Sequence, residues 1–274
     1  MTYIKIKFYN LVQKAAVLFG ALFLISLSAQ AAQLPIYKAS PLKPTTIHVG
    51  ERFVYQISYL GLVVGEAETL VKELVDFNGR KAFHIEVHVR SRSIIDYLYP
   101  VRDVHHSYID TEHLHSLSYE KDLSEGKYKV HEKMIYDQEK HEAEYHSLTN
   151  GSKKIMFIPK NVQDQVSAGF WFRMQNVEPH SKVVIPVNAD EKNWDLEIEV
   201  GEIEKMKIPN MGVFEAVHLI PKIKFQGLFV KRGRIEGWMG LDSSRIPLMM
   251  KVKVPVLGSV TVKLVEYNPG MVKD

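Results

Sequence analysis

The feature that most constrains the fold of this chain is a period-two alternation of apolar and polar residues, which recurs along most of its length. Such alternation predicts β-strands with one buried and one solvent-facing side. Turn signals such as Asn78-Gly79 and Asn150-Gly151 separate the runs. Because the connections are short, neighbouring strands are expected to be antiparallel. The clearest apolar series are Phe53, Tyr55, Ile57 and Tyr59; Phe83, Ile85, Val87 and Val89; and Trp194, Leu196, Ile198 and Val200.

One segment in the middle of the chain departs from this alternation. Residues 161–176 place apolar side chains at helical spacing and lie between Pro159 and Pro179, which favours a helix. The remaining segments amount to about ten to twelve strands, and a sheet of that size must curl, close or split into layers. The sequence therefore predicts an all-β, mainly antiparallel fold: a curved sheet or open half-barrel with this one helix packed on it.

Residues 1–31 have the organisation of a secretory signal peptide. Three lysines and no acidic residue accompany an apolar run at 15–27, and a small-residue motif ends at Ala31. The run spans about thirteen residues, whereas a membrane-spanning helix needs roughly twenty. We therefore expect cleavage after Ala31, export to a bacterial periplasm and no transmembrane segment in the cleaved chain. An uncleaved membrane anchor is the alternative interpretation.

The composition is typical of a globular domain. Of 274 residues, 46% are hydrophobic and 24% are charged, which excludes collagen-like and disordered classes. The sequence contains no cysteine, so disulfides, thiolate metal sites and cysteine nucleophiles are excluded. Beyond the signal peptide we expect an extended, proline-containing leader at 32–46, a single β-rich domain at 47–268 and a C-terminal tail at 269–274.

The formal charge of +3 belongs to the predicted signal peptide. Lys5, Lys7 and Lys14 account for the whole excess of 35 basic over 32 acidic residues, so the rest of the chain is formally neutral. A neutral domain has no strong overall field that would attract a polyanion. We therefore expect no nucleic-acid partner.

Four histidines close together in the sequence have the clearest potential for metal chemistry. His105 and His106 precede a predicted turn, and His113 and His115 follow it. Histidines two residues apart on a strand point the same way and can chelate zinc, so a metal-dependent hydrolase is one alternative. The competing interpretation places these residues on a half-exposed sheet face. The sequence has no nucleophile elbow or phosphate-binding loop, so we predict no catalytic residue and no cofactor.

Three consecutive aromatic residues stand on the predicted helix. Neighbouring helical residues are about 100° apart, so Phe170, Trp171 and Phe172 cannot all face one side. At least one of them must project away from the main buried stripe, either beneath a loop or towards a cavity or partner surface. Together with Met249, one of several adaptable methionines late in the chain, these aromatics are the candidate ligand-binding residues.

Four stretches of the sequence resemble one exported bacterial family. They are the segment 50–59 (GERFVYQISY), the segment 103–110 (DVHHSYID), the predicted helix with Asp164 and Ser167, and the segment 242–249 (DSSRIPLM). The family is domain of unknown function 3108, and the resemblance extends over residues 48–267. Its members look related to the Lol-type periplasmic lipoprotein carriers, which implies an unclosed β-barrel around a hydrophobic cavity with a helical lid. The resemblance implies no catalytic residues.

These observations lead to one functional prediction and two alternatives. The prediction is an exported, non-enzymatic protein that binds or carries a hydrophobic ligand, such as a lipid or an acyl chain, in a β half-barrel. The first alternative is an interaction or scaffold protein of the cell envelope with the same fold and no ligand cavity. The second is the histidine-based metal-dependent hydrolase.

Overall fold

A computed structural model describes residues 47–225, 228–229, 234–254 and 258–271. The predicted signal peptide at 1–31 and extended leader at 32–46 lie outside the described residues, as does the end of the predicted tail. Within the described ranges, none of the helices combines the length and the apolar character needed to span a bilayer.

The described part of the chain contains fifteen strands and two helices. The strands are β1 (Glu51–Tyr59), β2 (Leu62–Phe77), β3 (Arg80–Ser91), β4 (Arg102–Asp110), β5 (Ser116–Glu125), β6 (Tyr128–Asp137), β7 (Glu142–Ser147), β8 (Lys153–Phe157), β9 (Lys182–Ala189), β10 (Lys192–Ile208), β11 (Gly212–Phe225), β12 (Leu228–Phe229), β13 (Arg234–Gly240), β14 (Pro247–Val254) and β15 (Gly258–Pro269). The helices are α1 (Ser93–Leu98) and α2 (Ser167–Arg173).

All fifteen strands belong to one antiparallel sheet. The order is β8-β7-β6-β5-β4-β3-β2-β1-β15-β14-β13-β11-β10-β9, with β12 paired to β11 off this path. The sheet is open, and β8 and β9 are its two edge strands. The first and last strands of the described chain, β1 and β15, pair with each other at the centre of the sheet. The predicted all-β, mainly antiparallel, open sheet is therefore confirmed.

The alternation of the sequence becomes an alternation of burial along each strand. On β3, Ile85, Val87 and Val89 are buried, whereas Glu86 and Arg90 between and beyond them are partly or fully exposed. The pleat of a strand sends successive side chains to opposite faces, so the local pattern alone decides which face packs on the core. The structure has more strands than the predicted ten to twelve, because short or exposed strands show little alternation of apolar and polar residues: β8 is mostly exposed and β12 has two residues.

The predicted mid-chain helix is shorter than expected. Helix α2 occupies Ser167–Arg173, while the preceding Gln163 pairs with Val187 on β9, the strand at one end of the sheet. The Gln163 amide donates to the Pro186 carbonyl at 2.9 Å, and the Asn188 amide donates to the Gln163 carbonyl at 2.8 Å. These bonds satisfy backbone groups that a helix would otherwise have to pair internally. The six-residue helix α1 was not predicted, because so short a segment shows no helical period.

Helix α2 packs against two hydrophobic clusters of the sheet. Phe170 belongs to a large cluster with Phe53 and Tyr55, and Phe172 belongs to a second cluster with Ile185. The helix therefore lies between the first strand and the strands near the end of the sheet.

Candidate ligand cavity and histidine clusters

A mainly apolar cavity of about 180 Å³ lies between helix α2 and the sheet. The helix contributes Phe170 and Phe172, strand β1 contributes Phe53, and strand β14 contributes Met249 and Met250. These residues come from segments far apart in the sequence and meet because the curved sheet brings its strands around the helix. A half-open apolar cleft of this kind is a common form of small-molecule site.

The structure places three of the four candidate ligand-binding residues in the cavity wall. Phe170, Phe172 and Met249 line it, and Trp171 does not. Trp171 is partly buried and packs beside both hydrophobic clusters, as expected for the middle of three aromatic neighbours on a helix.

Two polar atoms in the cavity wall have no hydrogen-bond partner among the described residues. They are the hydroxyl oxygen of Thr69, which is 4% exposed, and the indole nitrogen of Trp238. The Trp238 ring stacks on His218 with ring centres 4.9 Å apart, which holds its orientation. Both atoms are buried with almost no accessible surface, and a buried donor or acceptor without a partner costs about 1–3 kcal/mol.

Arg173 is the one charged side chain among the described residues that line the cavity, and its neighbours neutralise it. The Arg173 guanidinium donates to Glu51 Oε1 at 2.7 Å and to Glu51 Oε2 at 3.0 Å. It also donates to the Ser244 and Arg245 carbonyls, and the Tyr267 hydroxyl donates to Glu51 Oε1 at 3.1 Å. The positive charge is thus paired inside the protein, and the cavity presents an apolar surface rather than an anion site.

The structure separates the four histidines that the sequence grouped as possible metal ligands. His105 is 2% exposed, and its Nδ1 atom lies 2.7 Å from the Tyr119 hydroxyl in the core. Burial lowers the pKa of His105 to about 3, so its imidazole is neutral. His106 points to the opposite face, since neighbours on a strand alternate. His113 and His115 lie in and beyond the β4–β5 turn, where their rings stack 5.4 Å apart.

In the part of the chain that the structure describes, two histidine–carboxylate clusters bring possible metal ligands close together. One consists of His84, Glu86 and His106, and the other of Asp110, His113 and His115. In each cluster, nitrogen or oxygen atoms of the three side chains lie within 4.8 Å of one another.

A pair of buried carboxyl groups lies at the other end of strands β4 and β5. Asp103 is 1% exposed and Glu125 is fully buried. Burial raises the pKa of Asp103 to about 6 and that of Glu125 to about 8, and the nearby Asp103 charge adds to the rise for Glu125. At neutral pH the pair therefore retains a proton.

Comparison with known proteins assigns the family of the chain. Residues 54–265 match the sequence model of the family described as "Protein of unknown function (DUF3108)". The chain belongs to the DUF3108 family. No curated protein matches this DUF3108 chain significantly.

A solved structure resembles this DUF3108 protein in fold, and a second one is a weaker match. A β-barrel-like protein of the domain of unknown function DUF1849 from Brucella abortus matches with a TM-score of 0.53 and 7% identity, over 81% of this chain and 98% of the other. A protein from Bacteroides fragilis assigned as exported, with a YmcC-like fold, covers 84% of this chain and 99% of its own at a TM-score of 0.35 and 7% identity. The first match supports the open, barrel-like arrangement of the DUF3108 sheet.

Sequence reasoning missed several side chains of the DUF3108 cavity and histidine clusters. Thr69 and Trp238 are single polar positions on strands, and nothing local marks them as unpartnered. His84 and Glu86 lie on β3, and their relation to His106 depends on the β3–β4 register, in which Glu86 stands opposite His106. A register of this kind is decided by long-range packing, so no short motif reveals it.

Proposed function

We propose that this DUF3108 protein is an exported, periplasmic, non-enzymatic protein that binds a hydrophobic ligand, a lipid or an acyl chain, in the cavity beneath helix α2. The cavity carries the proposal: its wall is mainly apolar and is built from Phe170, Phe172 and Met249 among others. The signal-peptide pattern supports export, and the resemblance to Lol-type carriers supports a transport role.

The size of the cavity limits what it holds. An apolar cavity of about 150 Å³ accepts a molecule the size of benzene, so a cavity of about 180 Å³ holds a chain segment of similar size rather than a whole lipid. At about 0.8 kcal/mol per buried methylene, about six carbons contribute roughly 5 kcal/mol. A binding free energy of that size corresponds to a Kd close to the millimolar range. Tighter binding therefore requires contacts outside the apolar segment.

The unpartnered polar atoms favour a lipid over a pure hydrocarbon. The Trp238 indole can donate a hydrogen bond, and the Thr69 hydroxyl can donate or accept one. A small movement of the Trp238 side chain would expose this buried donor to the carbonyl of an ester or carboxylic acid whose acyl chain lies in the apolar part. A hydrocarbon would leave both atoms unsatisfied.

Gly169 offers a way to block the cavity without disturbing the core. It lines the cavity on the exposed side of helix α2, and a Cβ atom added there meets no heavy atom within 4 Å. We expect the larger side chain of Gly169→Leu to extend into this open space and narrow the cavity. Gly169→Ala is the matched control, since it adds one methyl group and replaces a poor helix former by a good one.

The test combines native mass spectrometry of the purified full chain with displacement of a fluorescent fatty acid. We expect one bound fatty acid per chain, unchanged affinity in Gly169→Ala and at least about tenfold weaker binding in Gly169→Leu. Absence of fatty-acid binding, or equal binding by both variants, contradicts the proposal. A chain that binds no lipid but purifies with a stable envelope protein favours the scaffold alternative.

A further inference from the structure

Three side chains on the outer face of strands β3 and β4 surround one point. His84 Nε2 lies 3.0 Å from His106 Nδ1, and Glu86 Oε1 lies 3.5 Å from His106 Nδ1 and 3.9 Å from His84 Nε2. In a tetrahedral zinc site with metal–nitrogen distances of about 2.0–2.1 Å, ligand atoms lie about 3.3 Å apart. The three separations bracket this value. We propose that His84, Glu86 and His106 form a zinc-binding site.

The sheet itself holds these ligands in place. His84 and Glu86 are two residues apart on β3 and so share a face, and His106 on β4 stands directly opposite Glu86. His84 is 6% exposed, and its ring stacks on Tyr108 with ring centres 4.6 Å apart. Ligands on adjacent paired strands are positioned more firmly than ligands on loops.

A carboxylate behind His84 orients its ring. Glu73 Oε1 lies 3.4 Å from His84 Nδ1, on the side away from the proposed ligand atom. A carboxylate there favours the tautomer with the proton on Nδ1, which leaves the Nε2 lone pair free for a metal. In the metal-free protein, His106 Nδ1–H then donates to His84 Nε2. Zinc binding requires His106 to carry its proton on Nε2 instead.

One cation already competes for the site. The Lys72 ammonium donates to Glu86 Oε1 at 2.6 Å, the oxygen that would bind zinc. The Lys72 side chain is 46% exposed, so it can move into water when a metal arrives. Removing this positive charge both frees the oxygen and ends its repulsion of the metal, so loss of Lys72 must tighten zinc binding.

The second cluster is a poorer metal site. Asp110 Oδ1 already accepts the backbone amides of Glu112 and His113 at 2.9 and 2.6 Å, and Asp110 Oδ2 lies 3.5 Å from the Arg80 guanidinium. These bonds stabilise the turn and use the carboxylate lone pairs. His113 is therefore a matched control: its removal takes away one histidine from the rival cluster and leaves the proposed site intact.

The test is a zinc titration of the full chain, prepared without a histidine tag and freed of metal with a chelator. We expect one zinc ion per chain. His106→Ala and the nearly isosteric Glu86→Gln each weaken binding at least about tenfold, and Lys72→Ala strengthens it. His113→Ala leaves the affinity unchanged.

Circular dichroism shows whether each variant is folded. If His106→Ala is unfolded, the zinc affinity of Glu86→Gln tests the proposal. No zinc bound by the wild type would overturn the proposal. So would wild-type affinity in Glu86→Gln, or loss of binding in His113→Ala, which would place the ion at the turn.

Discussion

The guanidinium of Arg173 and the carboxylate of Glu51 form a two-point ion pair in the interior of the protein. The nitrogen–oxygen distances are 2.7 and 3.0 Å, and the two side chains are 3% and 1% exposed. The pair joins helix α2 to the start of strand β1, across 122 positions of sequence. The cavity lies between these elements, so the ion pair holds the helix over it.

Removing the carboxylate charge should destabilise the fold strongly. In Glu51→Gln the buried guanidinium loses its counter-charge, which typically costs about 3–5 kcal/mol. Urea unfolding at pH 7 measures the change. Glu68→Gln is the control, because Glu68 pairs with Arg52 in a half-exposed ion pair worth at most about 1 kcal/mol.

The double variant Glu51→Gln/Arg173→Met tests whether the cost is that of an unpaired charge. Without the guanidinium no buried charge remains, so the double variant should be more stable than Glu51→Gln alone. A double variant that is less stable than Glu51→Gln contradicts this account.

The buried pair of Asp103 and Glu125 should make stability fall as the pH rises. Both pKa values are raised in the folded state, from 3.8 to about 6 and from 4.5 to about 8, so the folded chain keeps protons that the unfolded chain releases. The contribution is complete below about pH 4 and is lost as the pH rises through about 8, with a slope of at most about 1.4 kcal/mol per pH unit for each proton.

Glu125→Gln isolates this effect. Urea midpoints of the variant should depend less on pH between 5 and 8 than those of the wild type, since one of the two titrating groups is gone. Glu178→Gln replaces an exposed glutamate and should leave the wild-type dependence intact. Parallel curves for the wild type and Glu125→Gln would show that the pair does not retain its proton.

Asp164 should be a major anchor of helix α2. Its buried carboxyl group accepts the Ser107 and Ser116 hydroxyls at 2.7 and 2.5 Å and the backbone amides of Val166 and Ser167 at 2.6 and 2.9 Å. Burial raises the pKa of Asp164, and these four donors partly offset the rise. Asp164→Asn replaces an accepting oxygen by a donating amide and should cost about 2 kcal/mol.

Thermal unfolding is the measurement, and a loss of about 2 kcal/mol corresponds to a fall in Tm of about 4–8 °C for a domain of this size. Ser107→Ala removes one of the four donors and should lower Tm by less than Asp164→Asn. Equal values of Tm for the wild type and Asp164→Asn would exclude the anchoring role.

The strands were predictable because the information is local. The side of the sheet that Val87 or Val89 faces follows from the pleat and the residue itself, so alternation is visible without any partner. The aromatic stretch Phe170–Phe172 was informative for the same reason, since helical geometry alone forbids all three side chains from sharing one face. Strand β8 was harder to count, because an edge strand with exposed side chains carries little burial contrast.

The sites depended on relations between strands. His84 and His106 are 22 positions apart and meet only through the β3–β4 register, while His105, adjacent to His106, faces the core. Sequence proximity groups His105 with His106, although their side chains lie on opposite faces of the sheet. The ion pair of Arg173 could not be predicted from the sequence either, because its partner Glu51 lies on a strand that is far away in the sequence.

The sequence by itself determined the fold class, the antiparallel pairing of neighbouring strands, the position of the central helix and the candidate aromatic residues, because each of these follows from short-range periodicity. Only the tertiary structure decided the strand order that joins β1 to β15, the cavity beneath helix α2 and the two histidine clusters. The physical reason is that cavities, buried ion pairs and ligand sets are formed by side chains from different strands. Long-range register and packing bring these side chains together, and the sequence of one strand does not specify its partners.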